Sequence, residues 1–79
     1  YPNPFTASTF ICFKLGKSAN VKIEIYDLLG HKVQTITKSI LPQGYHEIEF
    51  LPYDLPEGVY FYYLEAGDYY DIQKMIIQK

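Results

Sequence analysis

The sequence predicts an all-β domain, an antiparallel β-sandwich of about six to seven strands. Three observations favour this class. Short runs alternate apolar with polar residues at a period of two, turn-forming residues separate the runs at regular spacing, and aromatic residues make up 18% of the 79-residue chain. Because this spacing of short strands is typical of immunoglobulin-like sandwiches, we expect that arrangement in a single domain over residues 1–79.

The predicted strands differ in which faces they bury. The run 21–26 gives the clearest signal because Val21, Ile23 and Ile25 alternate with polar or amphipathic side chains, which indicates one buried and one solvated face. The run 59–64 is apolar on both faces, so we expect it to lie at the centre of its sheet or under a covering partner. In chain order the predicted strands cover residues 9–15, 21–26, 31–38, 45–51, 59–64 and 69–78.

Turn chemistry joins these runs. Asp27 and Gly30 stand at the first and fourth positions of a type I turn, which predicts a hairpin between the second and third strands. The segment 66–68 predicts the tip of a second hairpin. Tyr60, two residues after Gly58, predicts a tyrosine corner, in which a buried ring has its hydroxyl bonded to nearby backbone.

Composition excludes several classes of partner. The chain has seven Lys, no Arg and nine Asp plus Glu, for a formal net charge of −2, and its lysines are scattered among acids. A nucleic-acid interface normally shows a clustered basic face, so we expect no nucleic-acid partner. No run approaches the ~20 apolar residues of a transmembrane segment. Because the first residues lack Met and any signal peptide, we expect a fragment of a longer protein.

The residues that most often carry chemistry form no convincing site in the sequence. Cys12 lies in an apolar run and is predicted to be a small buried hydrophobe. His31 and His46 have no metal-ligand spacing, and Ser39, His46 and Asp54 form a catalytic set on paper only. We therefore expect no catalytic residues, no metal and no cofactor. Two acids on one strand face, a pattern that could also bind calcium or serve acid–base chemistry, are interpreted as a solvated surface: Glu47 and Glu49.

Tyrosines leave one further alternative open. An exposed tyrosine platform could stack sugar rings, as in carbohydrate-binding modules, although tyrosine also packs well at the rim of a small core. The candidates for such a platform are Tyr45, Tyr53, Tyr62, Tyr63, Tyr69 and Tyr70.

Four segments match, in order and spacing, the pattern of a known family. They are Tyr1-Pro2-Asn3-Pro4-Phe5, the strand and turn at 21–30 with its continuation at 31–33, the block Leu55-Pro56-Glu57-Gly58-Val59-Tyr60, and Lys74-Met75 with its apolar tail. Together they resemble the C-terminal sorting domain of the type IX secretion system (the Por secretion system), which ends many proteins exported by Bacteroidetes-type bacteria. The chain departs from that pattern at Thr6-Ala7 and at His31-Lys32, changes that touch exposed turns.

The resemblance implies a non-catalytic C-terminal sorting module. Its parent protein would pass through the periplasm and be secreted or attached to the outer-membrane surface. The implied partners are the secretion translocon, the cell-surface attachment machinery and the N-terminal cargo domain of the parent. Recognition is expected at the opening arm and the terminal strand, that is, at Pro2, Asn3, Pro4, Phe5, Lys74, Met75, Ile76, Ile77 and Lys79.

The same pattern is similar to two other kinds of module. One is the immunoglobulin-like domain of flagellar hook-capping proteins, and the other is the structural sandwich appended to extracellular enzymes. Fold likeness does not choose between these roles. A structural accessory domain is therefore the main alternative, and a carbohydrate-binding module is the less favoured one. Lys79 after an apolar strand resembles a natural C-terminus, which favours sorting.

Overall fold

In a computed structural model of the chain, which describes residues 9–52 and 54–78, six β-strands form two sheets. No helix occurs in these ranges. The predicted all-β class is confirmed, and the first strand has the predicted bounds, whereas the third starts one residue later and runs three residues further. The strands are β1 (Thr9–Leu15), β2 (Ala19–Asp27), β3 (Lys32–Leu41), β4 (Gly44–Phe50), β5 (Gly58–Ala66) and β6 (Tyr69–Ile77).

Strand pairing is antiparallel throughout the two sheets. One sheet contains β1 and β4, and the other has the order β3-β2-β5-β6. Both predicted hairpins are present, joining β2 to β3 and β5 to β6. β5 lies between β2 and β6, so the strand with two apolar faces is an inner strand, as predicted.

The inner faces of the two sheets meet in one hydrophobic cluster. Apart from Leu55, which lies between β4 and β5, its members come by period-two alternation from every strand except β3, which contributes half-buried side chains. Each such burial removes apolar surface from water and stabilises the fold by about 1.5–3 kcal/mol for a large side chain. The buried members are Ile11, Leu15, Val21, Ile23, Ile25, Phe50, Leu55, Tyr60, Tyr62, Leu64, Ala66, Met75 and Ile77.

The prediction that Cys12 is buried is wrong. β1 turns Ile11 and Leu15 toward the core, so the period of two places Cys12 on the solvent face beside Phe10, which is 49% exposed. The thiol is free, and its Sγ lies 4.0 Å from Oε2 of Glu47 on the paired strand. Four successive apolar residues, at positions 10–13, left open which face of the alternating run meets the core.

Candidate functional site

The β2–β3 turn is fixed by one carboxylate. Oδ1 of Asp27 accepts the backbone N–H groups of Leu29 at 2.9 Å and His31 at 2.8 Å, and the Gly30 N–H donates to the Asp27 carbonyl at 3.0 Å. The hydrogen bond from the His31 backbone, with that from Leu29, holds the pKa of Asp27 below its usual value despite partial desolvation. Gly30 has a φ of 87°, which glycine adopts without strain. The predicted turn is therefore present.

The Leu-Pro-Glu-Gly block builds a corner on the core. Leu55 is buried, and the chain turns at Pro56 so that Tyr60 Oη donates to the Pro56 carbonyl at 2.7 Å while the Tyr60 ring is 5% exposed. Burial, with a smaller contribution from the charge of Asp27, raises the pKa of the Tyr60 hydroxyl. The hydroxyl therefore remains a donor at neutral pH. The predicted tyrosine corner is confirmed.

The terminal strand contains four of the residues expected to take part in recognition. β6 is an edge strand that pairs, among the described strands, with β5 alone. Lys74 is exposed and Ile76 is half-buried on the outer face, whereas Met75 and Ile77 are each 1% exposed and belong to the core. The strand thus presents a backbone edge, the Lys74 cation and the aliphatic Ile76 side chain on its outer side. Burial of Met75 and Ile77 fixes it to the core.

The remaining expected residues lie outside the described ranges. They are Pro2, Asn3, Pro4 and Phe5 of the opening arm and Lys79 at the end of the chain.

His46, which was considered for catalysis and metal binding, is held by local structure. His46 Nε2 lies 2.7 Å from the Pro42 carbonyl, and its ring stacks on Phe13 at a centroid distance of 5.5 Å. Glu47 and Glu49 lie on the solvent face of β4, as interpreted from the sequence. Within residues 9–52 and 54–78, no group of three or more His, Cys, Asp or Glu side chains is placed to hold a metal ion.

A charged cluster on the outer face of β2 was not evident from the sequence. Glu24 is 6% exposed although its position in the alternation predicts a solvated side chain. Its carboxylate accepts from Tyr26 Oη at 2.9 Å and from Lys32 Nζ at 3.1 Å, and it lies 3.9 Å from Lys22 Nζ. Burial tends to raise the pKa of Glu24, but these hydrogen bonds and charges outweigh it and hold the pKa below its usual value.

Aromatic residues gather on the outer face of the larger sheet. Tyr26, Phe61, Tyr63 and Ile72 line a shallow groove of about 290 Å³, and Tyr70 contacts Tyr63 at a centroid distance of 5.8 Å. We call these five residues the aromatic patch. Tyr53 lies outside the described ranges, and the other tyrosines considered earlier do not form one platform, because Tyr62 faces the core and Tyr45 lies on the other sheet. Tyr26 and Phe61 complete the patch through cross-strand pairing of β2 with β5.

A comparison with protein-family models matches residues 1–78, and the model is described as a secretion system C-terminal sorting domain. The chain belongs to this family. The sorting-domain family is a non-catalytic targeting module of type IX secretion. No match was found among curated proteins or among solved structures. In the described ranges, no helix is long and apolar enough to cross a membrane.

Proposed function

We propose that this sorting domain directs a parent protein across the outer membrane, for secretion or attachment to the cell surface, and that the translocon binds it in the folded form. The family match over residues 1–78 carries the proposal. The fold supports the second part of it. Asp27, Gly30, Gly58 and Tyr60 build turns or a corner, so their role as motif residues depends on a folded chain. The module acts through its surface and needs no cofactor.

We further propose that recognition uses the opening arm (Pro2, Asn3, Pro4 and Phe5) and the terminal strand with Lys79. An edge strand presents N–H and C=O groups in a row, and a partner strand can extend the sheet along it. Lys74 and Ile76 face outward beside that row and would give such pairing its specificity. Met75 and Ile77 contribute indirectly because their burial fixes the position of the strand.

Export of a reporter tests the proposal directly. Residues 1–79 are fused to the C-terminus of a periplasmic reporter in a bacterium with a functional type IX system, and the reporter is measured in periplasm, at the cell surface and in medium. We expect export of the fusion and periplasmic retention of an Ile23→Asp variant, because a charge at a position with 0% exposure abolishes the fold. Retention of the unsubstituted fusion would contradict the proposal.

The role of the terminal strand has its own comparison. We expect Lys74→Ala with Ile76→Thr to reduce export while the urea midpoint of the isolated chain changes little. The matched control removes one lysine and one exposed apolar side chain from another edge strand, through Lys14→Ala with Phe10→Thr on β1. Equal export of the two double variants would argue against recognition at β6.

A further inference from the structure

The aromatic patch consists of apolar side chains that lie outside the hydrophobic core. β5 buries Tyr60, Tyr62 and Leu64 on its inner face, and that face alone supplies its share of the core. An outer strand face of a sandwich is normally polar, yet here β5 presents Phe61 and Tyr63 outward. A contiguous apolar surface of this kind typically marks an interaction site.

Neighbouring strands extend the patch beyond β5. Tyr26 of β2 lies opposite Phe61, and Ile72 of β6 lies opposite Tyr63. Tyr70 is 63% exposed and Ile72 is 56% exposed, so the β6 side of the patch is open to a partner. The surface therefore spans three strands and is wider than the edge of β6.

Charges around the patch are predominantly positive. Four lysines and two glutamates lie on this outer face, although the whole chain has a net charge of −2. Both glutamates are engaged by lysines: Lys22 Nζ lies 3.4 Å from Glu65, and Lys32 Nζ lies 3.1 Å from Glu24. Four lysines against two glutamates give this face a net positive charge, which complements an acidic partner. The four lysines are Lys22, Lys32, Lys38 and Lys74.

We propose that the aromatic patch is a docking surface for a protein of the secretion machinery whose contacting surface is apolar at its centre and carries Asp or Glu at its margin. This inference rests on the proposed function and adds β2 and β5 to the recognition surface. A second copy of the chain fits less well because face-to-face pairing would bring lysines against lysines.

A sugar also fits less well than a protein. Sugar hydroxyls need polar atoms beside the stacking rings, and here the nearby Tyr26 hydroxyl and Glu24 carboxylate bond to each other at 2.9 Å. The rest of the groove is lined by Phe61, Tyr63 and Ile72. The aliphatic Ile72 side chain in this lining suits a protein side chain better than a pyranose.

The test uses the reporter fusion with outer-face variants. Tyr63→Thr with Tyr70→Thr removes both contacting rings and keeps residues that favour strands. Tyr45→Thr is the control, because Tyr45 is 63% exposed, as Tyr70 is, but lies on the other sheet. We expect the double variant to lower export by about tenfold or more and the control to be exported normally. Urea unfolding of each isolated chain checks that the double variant remains folded.

The charge of the partner is tested at one position. Ile72→Glu and Ile72→Lys place opposite charges in the patch with similar cost to the strand, and an acidic margin predicts that the Glu variant is exported less than the Lys variant. Equal export of the two contradicts the acidic margin.

The outcomes separate this inference from the proposed function. Normal export of a folded Tyr63→Thr/Tyr70→Thr variant overturns the inference alone, whereas retention of the unsubstituted fusion overturns the proposed function. Sedimentation of the isolated chain and binding to a panel of insoluble polysaccharides examine the other occupants. A dimer, or polysaccharide binding, that is lost in the double variant would assign the patch to that occupant and overturn the inference.

Discussion

At the scale of single residues, two polar groups link parts of the structure that hydrophobic packing alone would not link. The Tyr60 hydroxyl ties the corner before β5 to its strand, and the Glu24 carboxylate joins β2 to β3 through Lys32. Both act through hydrogen bonds with little access to water. Removing either group should therefore change the stability of the fold more than removing a solvated group would.

The Tyr60 hydroxyl is predicted to contribute to stability. We expect Tyr60→Phe to lower the free energy of unfolding by about 1 kcal/mol, because the hydrogen bond to Pro56 is lost while the ring stays packed. Urea unfolding measures the change. Tyr69→Phe, at a position 59% exposed, is the control and should leave the midpoint in place. Equal effects of the two substitutions would contradict a structural tyrosine corner.

Glu24 is predicted to make stability depend on pH. Its pKa is lower in the folded chain than in the unfolded one, so its contribution is fully present above the unfolded-state value of about 4.3 and is lost as the pH falls through the folded-state value. We expect the stability difference between the natural chain and Glu24→Gln to be largest near neutrality and to shrink in acid. Urea unfolding at several pH values measures it. Glu65→Gln, whose side chain is 42% exposed, should give a smaller and flatter difference.

Cys12 and Glu24 are two residues whose burial could not be predicted from the sequence. The alternation in β1 was readable, but four adjacent apolar residues gave no reason to choose which face met the core. Glu24 was placed on the correct face, and its burial arises from Tyr26 and Lys32 covering it. Contacts with Lys32 depend on the strand pairing and its bulges, which the sequence of β2 alone does not contain.

At the scale of elements, the β2–β3 hairpin was the most predictable part of the chain. Asp27 and Gly30 specify a turn through local hydrogen bonds, and the two strands then pair without long-range information. The length of β3 was less predictable because its last residues pair with Ala19 and Asn20, which the sequence assigned to a loop.

Gly30 gives a prediction for this hairpin. We expect Gly30→Ala to destabilise the chain by about 1 kcal/mol or slightly more, because alanine at a φ of 87° is strained. The control is Gly16→Ala, since Gly16 has no positive φ and an added Cβ meets nothing within 4 Å. Chemical denaturation of both variants provides the comparison. A Gly16→Ala effect as large as that of Gly30→Ala would argue against a conformational cause.

At the scale of the whole molecule, one core joins two sheets of unequal size. Ile11 and Phe50 from the two-stranded sheet meet Ile23 and Leu64 from the four-stranded sheet. The class of fold was predictable because it follows from period-two patterning. The pairing of β1 with β4 was not, because many antiparallel partners satisfy the same pattern and only the packed core selects among them.

The core gives the largest predicted effect. A chain of this length has a total stability of about 4–12 kcal/mol, and Ile23→Ala should remove about 2–5 kcal/mol of it by leaving a cavity at a position with 0% exposure. Ile72→Ala, at 56% exposure, should cost less than about 1 kcal/mol. Thermal unfolding followed by circular dichroism distinguishes the two. Similar melting temperatures would contradict the burial of Ile23.

The pairing of β2 with β5 has a consequence for biosynthesis. It pairs the two inner strands of the larger sheet, for example Val21 with Ala66. Residues far apart in the chain must therefore both be synthesised before that sheet can form. A nascent or truncated polypeptide that ends before β5 lacks half of the core and cannot adopt this shape. A receptor that binds only the folded domain would therefore not bind chains that end before β5, so the pairing of β2 with β5 makes recognition depend on both halves of the larger sheet.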